Sequence, residues 1–338
     1  RPRIATARLL AVVALPGCAS VTPLAEDYSA PPRLPASIAD GFCYEAPPPV
    51  AEFDLLKQKR RFTHRAGSFN SGLPGDKDDT PITFEYYELN GDDPAPVAIV
   101  LPILNGQKDL VRPFASYFAN HGYASIIVDT SQRRTLSTDL VDPERALRAA
   151  VQRHRRMLDW IETQDKLDAE RIVVFGASLG GINAMYLASL DDRIRAVVPA
   201  LAAGDLPTLF VDTEEPRVRN AVADAKATLE MTSDEFRQFL EDNIETRILE
   251  LARFVDAARV QMVIARYDDT VPTSQQRDLR YALGNPEVIT LPTGHLTAAA
   301  YIFYLRKKAL GFFDRVLDER PEGTTVRFDT DVCSATSS

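Results

Sequence analysis

The sequence predicts an α/β fold: a mostly parallel, doubly wound sheet with helices on both of its faces and an inserted helical cap. Three observations lead to this expectation. Short runs of β-branched and aromatic residues alternate with longer helical patterns. Residues 97–104 form a continuous apolar run, typical of a strand buried on both faces, and residues 205–258 interrupt the alternation with a helical pattern alone. Because parallel strands need crossover connections, the alternation favours a parallel sheet in one domain over residues 57–320.

The predicted strands and helices follow one another through this domain. Strands are expected at residues 82–89, 97–104, 124–128, 171–175, 194–199, 260–265 and 288–291, where the runs are short and rich in apolar side chains. Helical spacing of apolar residues predicts helices at residues 110–120 and 143–163, a helix that ends at residue 190, and a last helix at residues 296–317.

The cap is predicted from the long segment between the fifth and sixth of these strands. Within it, Thr232 and Glu235 have the spacing of a capping box, in which each side chain accepts a hydrogen bond from the other residue's backbone N–H. Apolar residues at helical spacing follow, beginning with Phe236. About fifty residues exceed what a simple crossover between two strands needs, so we interpret residues 205–258 as an inserted cap.

The composition and charge of the chain limit its class and its partners. Hydrophobic residues make up 45% and charged residues 26% of the sequence, as is typical of a globular protein. Asp and Glu total 48 against 39 for Lys and Arg, so the net charge is −9. Nucleic acid and anionic membrane surfaces bind basic patches, and the acidic balance argues against both as partners. No apolar run approaches the ~20 residues that a membrane-spanning helix needs.

The first residues have the pattern of a secretory signal, which we place at residues 1–17. Arginines precede a short apolar run at residues 9–15, and small residues follow it. The sequence Leu-Pro-Gly-Cys that ends at Cys18 resembles the bacterial lipoprotein lipobox, which implies a lipid anchor on Cys18 and a place in the bacterial cell envelope. Ala19 fits lipoproteins of the outer membrane that face the periplasm. The alternative is a frayed amphipathic N-terminus with a chance cysteine.

A proline-rich segment follows and is predicted as an extended tether over residues 18–56. Residues 19–50 hold seven prolines and lack a core pattern, which favours a stiff, extended backbone. Cys43 lies in this segment, and Cys333 lies in the predicted C-terminal tail, residues 321–338. In an oxidising periplasm these two thiols could form a disulfide; the alternative is two free thiols, since a sequence does not show their geometry.

The strongest functional signal is the Gly-x-Ser-x-Gly motif from Gly176 to Gly180, which follows a predicted strand and opens a helical pattern. A sharp strand-to-helix turn would present Ser178 above the sheet edge, and the glycines would let neighbouring backbones approach closely. The free N–H groups and the partial positive charge of the helix N-terminus would lie beneath the serine. The alternative is a glycine-rich turn in which the serine has no role.

His295 is the predicted general base, because a serine hydroxyl is a poor nucleophile until a base removes its proton. The sequence has four histidines, and only His295 follows the motif, in a loop directly after the last predicted strand. We expect the other three, His64, His121 and His154, to be solvated or packed without a catalytic role.

Asp268 is the predicted acid that orients this histidine and stabilises the imidazolium. It follows the strand at residues 260–265, at the sheet edge where ligand sites collect in open α/β folds. Asp269 is the near alternative, and Asp205, beyond the preceding strand, is a more distant one. Asp268 could also do no more than cap a turn.

These motifs resemble those of the α/β-hydrolase superfamily. The chain order Ser178, Asp268, His295 matches that family's order of nucleophile, acid and base. The sequence Asp-x-x-Val-Pro that starts at Asp268 resembles the family's acid turn, and the Gly-His pair that ends at His295 resembles its histidine loop. Asp-Ala-Glu-Arg-Ile at residues 168–172 resembles the dienelactone hydrolase and acyl-peptidase-like branches. The likeness covers residues 57–318 and implies a serine hydrolase.

The resemblance also implies an oxyanion hole and an activity. Backbone N–H groups of Leu179, after the nucleophile, and of Leu104, in the loop after the family's third strand, would hold the oxyanion. The activity would be hydrolysis of a small-molecule carboxylic ester through an acyl-enzyme on Ser178, without a cofactor. No Cys/His cluster has the spacing of a zinc site, so no metal is expected. The alternatives are an amidase, peptidase or thioesterase with the same triad, or a non-catalytic envelope lipoprotein that uses the fold as a binding module.

Overall fold

One ten-stranded sheet runs through the part of the chain that the structure describes. The structure is a computed structural model, and it describes residues 19–74, 81–106, 108–129 and 139–319. The strands are β1 (Ser20–Thr22), β2 (Glu52–Gln58), β3 (Phe62–Phe69), β4 (Ile82–Leu89), β5 (Ala95–Leu101), β6 (Ala124–Val128), β7 (Leu167–Ala177), β8 (Ile194–Ala200), β9 (Gln261–Ala265) and β10 (Glu287–Leu291). Each strand predicted from the sequence is present, with ends that differ by a few residues.

The order of the strands across the sheet is β1-β10-β9-β8-β7-β5-β6-β4-β3-β2. The strands from β10 to β6 are parallel to one another, whereas β1 on one side and β4, β3 and β2 on the other are antiparallel to their neighbours. The sheet is therefore mostly parallel, as predicted. The loops that follow β5, β7, β8, β9 and β10 lie along its carboxyl edge, where ligand sites collect in open α/β sheets.

Helices cover both faces of the sheet. They are α1 (Ala36–Ala39), α2 (Arg112–Asn120), α3 (Pro143–Glu162), α4 (Leu179–Leu190), α5 (Leu206–Asp212), α6 (Pro216–Leu229), α7 (Ser233–Asn243), α8 (Ile248–Leu251), α9 (Thr273–Ala282) and α10 (Ile302–Asp318). One apolar cluster joins α2 and α10 to one face, and a second joins α3, α4 and α9 to the other. This arrangement confirms the predicted α/β architecture. The last predicted helix begins differently, because Leu296–Tyr301 forms a 3₁₀ helix before α10.

Helix α4 lies at the centre of this arrangement and carries the nucleophile motif at its amino end. Eleven of its 12 residues are buried, and it packs against β7, β8, α3 and α8. Apolar residues all round a helix are typical of one that is buried on every side. Such a helix holds the turn after β7 in one position relative to the sheet.

The segment between β8 and β9 contains four helices, α5 to α8, over the residues predicted as a cap. The capping box is present at the start of α7. Glu235 N–H donates to Thr232 Oγ1 at 3.3 Å, and Thr232 N–H donates to the Glu235 carboxylate at 2.9 Å. Phe236 and Leu240 on the same helix are fully buried. Helices of this segment pack against α3, α4 and α9, on one face of the sheet.

The proline-rich segment packs onto the domain and is not an extended tether. β1 pairs with β10 at one edge of the sheet, and β2 pairs with β3 at the other. Phe42 is only 2% exposed within an apolar cluster, and the ring of Phe53 lies 6.0 Å from that of Trp160 between centroids. The prediction of a tether over residues 18–56, and of a domain that starts at residue 57, is therefore wrong wherever this segment is described.

Contacts to α3 explain why this segment packs onto the domain although its proline content predicted an extended tether. Arg155 donates to the Phe42 carbonyl at 2.8 Å, and Arg156, also on α3, donates to the Pro47 carbonyl. A proline lacks an N–H group but keeps its carbonyl as an acceptor. A proline-rich chain can therefore be bound through its carbonyl groups and its few aromatic side chains, although it has no periodic apolar pattern.

Several predicted features of the chain ends lie outside the described residues. Cys43 takes part in a disulfide. The other two cysteines, Cys18 and Cys333, are not among the described residues, so the pairing of Cys43 with Cys333 stays a prediction. The predicted signal at residues 1–17 and the predicted tail at residues 321–338 lie outside them as well. Of the helices in the described ranges, none is both long and apolar enough to cross a bilayer.

Phe42→Ala is expected to lower the free energy of unfolding by about 3 to 5 kcal/mol, because it removes a large buried side chain from the segment that the domain binds. Chemical denaturation of the full chain, followed by the fluorescence of its single tryptophan, measures this change. Val50→Ala in the same segment is the control, since Val50 is 83% exposed and its truncation should change stability by less than about 0.5 kcal/mol. Equal stability of the two variants would show that the segment does not contribute to the folded core.

Candidate active site

Ser178 lies in the turn between β7 and α4, in a backbone conformation that few residues adopt. Its φ is 55° and its ψ is −121°, and positive φ is uncommon for any residue other than glycine. Its N–H donates to the Ala200 carbonyl at 2.8 Å, and its carbonyl accepts from Ile182 N–H at 3.0 Å. The end of β8 and the first turn of α4 therefore hold the serine in this strained position, as is typical of a nucleophile at a strand-to-helix elbow.

The two glycines of the motif permit close backbone packing on either side of the serine. A Cβ atom on Gly176 would overlap the carbonyl of Gly180, and a Cβ atom on Gly180 would overlap the backbone of Leu101 and Pro102. No side-chain rotation could relieve either overlap, because the neighbouring atoms belong to the backbone. The tight turn from β7 into α4 therefore requires glycine at Gly176, and the approach of α4 to the end of β5 requires it at Gly180.

His295 joins the serine to Asp268. Its Nε2 atom lies 3.0 Å from Ser178 Oγ, and its Nδ1 atom lies 2.8 Å from Asp268 Oδ2. The Asp268 side chain is completely buried, and the His295 side chain is 12% exposed. Because Nδ1 faces a carboxylate, we assign the ring proton to Nδ1, and the Nε2 lone pair then accepts a hydrogen bond from the serine hydroxyl. The structure thus brings the three residues predicted from the sequence together, in a geometry that can activate the serine oxygen.

Asp268 receives hydrogen bonds at both of its oxygens. Oδ1 accepts from the N–H groups of Thr270 at 3.1 Å and Val271 at 2.9 Å, and Oδ2 accepts from Gln276 Nε2 at 2.9 Å as well as from the histidine. A buried carboxylate without such donors would strongly destabilise the fold. Gln276 was not predicted from the sequence, because a glutamine in an amphipathic helix has no distinguishing pattern. Its position eight residues after Asp268 becomes informative only when α9 is seen to fold back over the acid loop, residues 266–272 between β9 and α9.

Backbone hydrogen bonds join the acid loop after β9 to the base loop, residues 292–295 after β10. Arg266 N–H donates to the Leu291 carbonyl, and Tyr267 N–H donates to the Thr293 carbonyl, each at 2.9 Å. Gly294 packs closely beside this pair, since a Cβ atom there would come within 2.9 Å of the Tyr267 carbonyl oxygen. These contacts continue past the sheet edge and set the separation between the acid and the base.

The two alternative acids have other surroundings. Asp269 is exposed beside the buried Asp268. The carboxylate of Asp205 accepts from Thr208 N–H at 3.4 Å and caps the N-terminus of α5. The structure therefore places Asp268, and neither alternative, against His295.

The three remaining histidines are packed or exposed to solvent, as expected. His64 Nε2 lies 3.0 Å from the buried carboxylate of Glu85, and desolvation lowers the pKa of this imidazole although the carboxylate opposes the shift. His121 is exposed just after α2. His154 is buried in α3, where desolvation lowers its pKa to about 4. Within the described ranges, no group of three or more His, Cys, Asp and Glu residues is placed to hold a metal ion.

The predicted oxyanion donors lie on the two segments that the glycine packing brings together. Leu179 is the first residue of α4. The side chain of Ser178, the residue before it, does not cap the helix, so the N–H groups in the first turn of α4 receive no capping hydrogen bond from it. Leu104 begins a 3₁₀ helix in the loop after β5. It lies two residues after Pro102, whose backbone packs against Gly180. The role of the two N–H groups as oxyanion donors stays a prediction.

Comparison with family models places these features in a known group of proteins. The model of the "Dienelactone hydrolase family" matches residues 84–283, which is more than half of the chain and includes Ser178 and Asp268. This match confirms the resemblance found in the sequence motifs. A comparison with curated proteins gives no significant match.

Several solved structures share the fold at low sequence identity. An acetyl xylan esterase from Paenibacillus sp. R4 has a TM-score of 0.65 and 19% identity, covering 83% of this chain and 92% of its own. Acetyl xylan esterase 1 from Thermoanaerobacterium sp. JW/SL YS485 has a TM-score of 0.64 and 13% identity, covering 84% of this chain and 99% of its own. An acylaminoacyl peptidase from Pyrococcus horikoshii has a TM-score of 0.55 and 17% identity, covering 78% of this chain and 43% of its own. At such identities the likeness shows a common fold.

Gly180→Ala is expected to destabilise the elbow, because its Cβ atom has no space beside the backbone of Leu101. Overpacking of this kind costs about 1 to 3 kcal/mol and sometimes more, so we expect a lower melting temperature in thermal unfolding. Gly311→Ala in α10 is the control: apart from the backbone of α10 itself, no described atom lies within 4 Å of its added Cβ, and the higher helix propensity of alanine favours folding by up to about 1 kcal/mol. A Gly180→Ala variant as stable as the wild type would contradict the close packing described above.

Proposed function

We propose that this chain, which belongs to the dienelactone hydrolase family of α/β hydrolases, is a serine hydrolase that cleaves a small carboxylic ester. The observation that carries the proposal is the hydrogen-bonded chain from the buried carboxylate of Asp268 through His295 to Ser178. A serine at a strained elbow, beside a histidine oriented by an acid, is an arrangement that supports acyl transfer.

In the proposed mechanism His295 acts first as a base. As Ser178 Oγ attacks the ester carbonyl, its proton passes to Nε2, and Asp268 stabilises the imidazolium without taking the proton itself. The carbonyl oxygen becomes an oxyanion, for which the N–H groups of Leu179 and Leu104 are the proposed donors. Each such donor contributes about 3 kcal/mol to the stability of the transition state. The imidazolium then gives its proton to the leaving alcohol, and the acyl group stays on the serine.

Water completes the proposed cycle. His295 removes a proton from a water molecule that attacks the acyl carbonyl, and a second oxyanion forms at the same two donors. When this intermediate collapses, the C–O bond to Ser178 breaks and the histidine returns a proton to the serine oxygen. The products are a carboxylic acid and the free enzyme.

The same three residues could also act on an amide or a thioester. An ester is a less demanding substrate than an amide, because an alcohol leaves more readily than an amine and depends less on the proton that His295 supplies. We therefore propose an ester and treat other acyl substrates as outcomes of the assay below. A non-catalytic binding module with this fold would show no covalent chemistry at Ser178.

We further propose that the domain is anchored in the bacterial cell envelope, at the outer membrane facing the periplasm, through a lipid on Cys18. The support is the sequence around that cysteine, which lies outside the described residues. Because β1 begins at Ser20 and pairs with β10, an anchor on Cys18 would hold this edge of the sheet close to the membrane instead of at the end of a long tether.

In bacteria that express the natural protein, Cys18→Ala is expected to move it from the membrane fraction to the soluble fraction. The reason is the loss of acyl chains, each of which contributes ~0.8 kcal/mol per buried CH₂ group. Fractionation together with metabolic labelling by a fatty acid measures the change, and Ser20→Ala, an exposed neighbour, is the control. A wild-type protein that takes up no lipid label would contradict the proposal.

Ser178→Ala is expected to reduce the hydrolysis of p-nitrophenyl esters by at least about 10⁴-fold, because the variant has no nucleophile. Ser189→Ala in the same helix is the matched control. The Ser189 hydroxyl donates to the Met185 carbonyl at 2.7 Å, within α4, so this variant should keep the wild-type turnover. Steady-state kinetics on a series of acyl lengths measures both variants and finds the preferred length.

A fluorophosphonate probe, used beside the ester series, separates the alternatives. Turnover that requires Ser178 would support the esterase. Labelling of Ser178 without turnover of any ester would indicate an amide, a thioester or a bulky natural substrate. Neither labelling nor turnover would contradict a hydrolase and favour the binding module.

A further inference from the structure

Gln276 has no exposed surface and lies in the first turn of α9, behind the acid loop. Its amide nitrogen donates to Asp268 Oδ2 at 2.9 Å and to the Val271 carbonyl at 2.7 Å, and its amide oxygen accepts from Ala265 N–H at 3.2 Å. A flipped amide would set its oxygen against two acceptors and its nitrogen against a donor. These three partners therefore allow the side chain one orientation.

The Asp268 oxygen that Gln276 contacts is also the one that holds the histidine. Oδ2 accepts from Gln276 Nε2 and from His295 Nδ1, whereas Oδ1 accepts backbone N–H groups. The position of Oδ2 sets the direction of the His295 Nδ1–H bond, and hence the position of Nε2 beside Ser178 Oγ. A group that fixes Oδ2 therefore acts on the nucleophile through two intervening residues.

We propose that Gln276 is a positioning residue of the triad, which fixes the orientation of the Asp268 carboxylate and stabilises its buried charge. This inference rests on the proposed function, since it assumes that the triad is catalytic. Because Gln276 also binds the end of β9 through Ala265 and the acid loop through Val271, it ties helix, strand and loop into one rigid unit. Gln276 is fully buried and does not reach a substrate, so its loss should change kcat more than KM.

The titratable groups that face this amide are Asp268 and His295, the two that share its hydrogen-bonded chain. The other charged side chains on α9 and on the segments packed against it are exposed or bonded elsewhere. They are Asp205, Arg247, Glu250, Arg253, Arg266, Asp269, Arg277, Asp278 and Arg280. A new carboxyl at residue 276 would therefore interact first with Asp268.

Gln276→Glu is the sharpest test, because the new carboxyl has two states with opposite effects. When protonated, it can donate to Asp268 Oδ2 and accept from Ala265 N–H, as the amide does. When ionised, it places a second negative charge beside Oδ2, and two carboxylates that share a site strongly raise the pKa of one of them. Activity should therefore fall as the pH rises through the pKa of the new carboxyl, so the pH optimum should move to lower pH.

We expect the ratio of variant to wild-type kcat to fall at least about tenfold between about pH 6 and about pH 9, with KM little changed. The assay is p-nitrophenyl ester hydrolysis by the full chain, and the rate of fluorophosphonate labelling is the second readout. Gln276→Leu removes the donor at every pH. It should lower kcat by about 10- to 100-fold and leave the shape of the pH profile as in the wild type.

Gln275→Glu is the matched control for the pH profile. Gln275 is also buried on the first turn of α9, and its amide oxygen has no hydrogen-bond partner, so it is not part of the chain to Asp268. The control introduces the same buried carboxyl at the neighbouring residue and should give a pH profile parallel to that of the wild type. Thermal unfolding shows which variants are folded, and Gln276→Met replaces Gln276→Leu if the latter is not.

The outcomes separate this inference from the proposed function. A Gln276→Glu profile parallel to that of the wild type, in a protein whose turnover or labelling requires Ser178, would overturn the positioning role and leave the function standing. A wild-type protein with neither turnover nor labelling at Ser178 would overturn the function and the positioning role together. The inference is supported if the kcat of Gln276→Glu falls with rising pH while the pH profile of Gln275→Glu stays parallel to that of the wild type.

Discussion

The approach of α4 to the end of β5 is the constraint on which the rest of the site depends. Gly180 packs directly against the backbone of Leu101, and only a hydrogen atom fits between them. This contact sets the start of α4 beside the loop after β5, while the hydrogen bond from Ser178 N–H to the Ala200 carbonyl ties the same turn to β8. The ends of β5, β7 and β8, three neighbouring strands, thus determine where the serine oxygen lies. The unusual φ of Ser178 persists because these contacts together outweigh the strain.

The other half of the site is built where β9 and β10 end. Their loops are joined by backbone hydrogen bonds, so the acid and the base keep one separation. Burial of Asp268 would be unfavourable without donors to both oxygens, and two backbone N–H groups, Gln276 and His295 supply them. The hydrogen bonds that make this burial tolerable are also those that orient the imidazole. In this site, the stability of a buried carboxylate and the position of the imidazole beside Ser178 therefore depend on the same contacts.

The N-terminal segment shows where composition is a poor guide to structure. Its prolines predicted a tether, yet Phe42 is buried in the core and its carbonyl accepts from Arg155, 113 residues further along the chain. No local pattern indicates such a partner. This packing changes what the proposed anchor on Cys18 would do, because the strand that follows it is paired into the sheet. A lipid there would orient the domain as well as localise it.

From the sequence alone we could predict the alternation of strands and helices, the inserted helical segment, the elbow motif and the three candidate residues Ser178, Asp268 and His295. Each of these depends on a local pattern, such as apolar periodicity, glycine spacing or a polar residue directly after a strand. The choice between Asp268 and Asp269 depends on the fold, since adjacent residues differ only in the direction that the loop gives them. The contact between Gln276 and Asp268 also depends on the fold, because a helix that follows the acid loop must fold back before its amide can reach the carboxylate. These outcomes depend on where the chain turns in space, and a one-dimensional pattern does not carry that information.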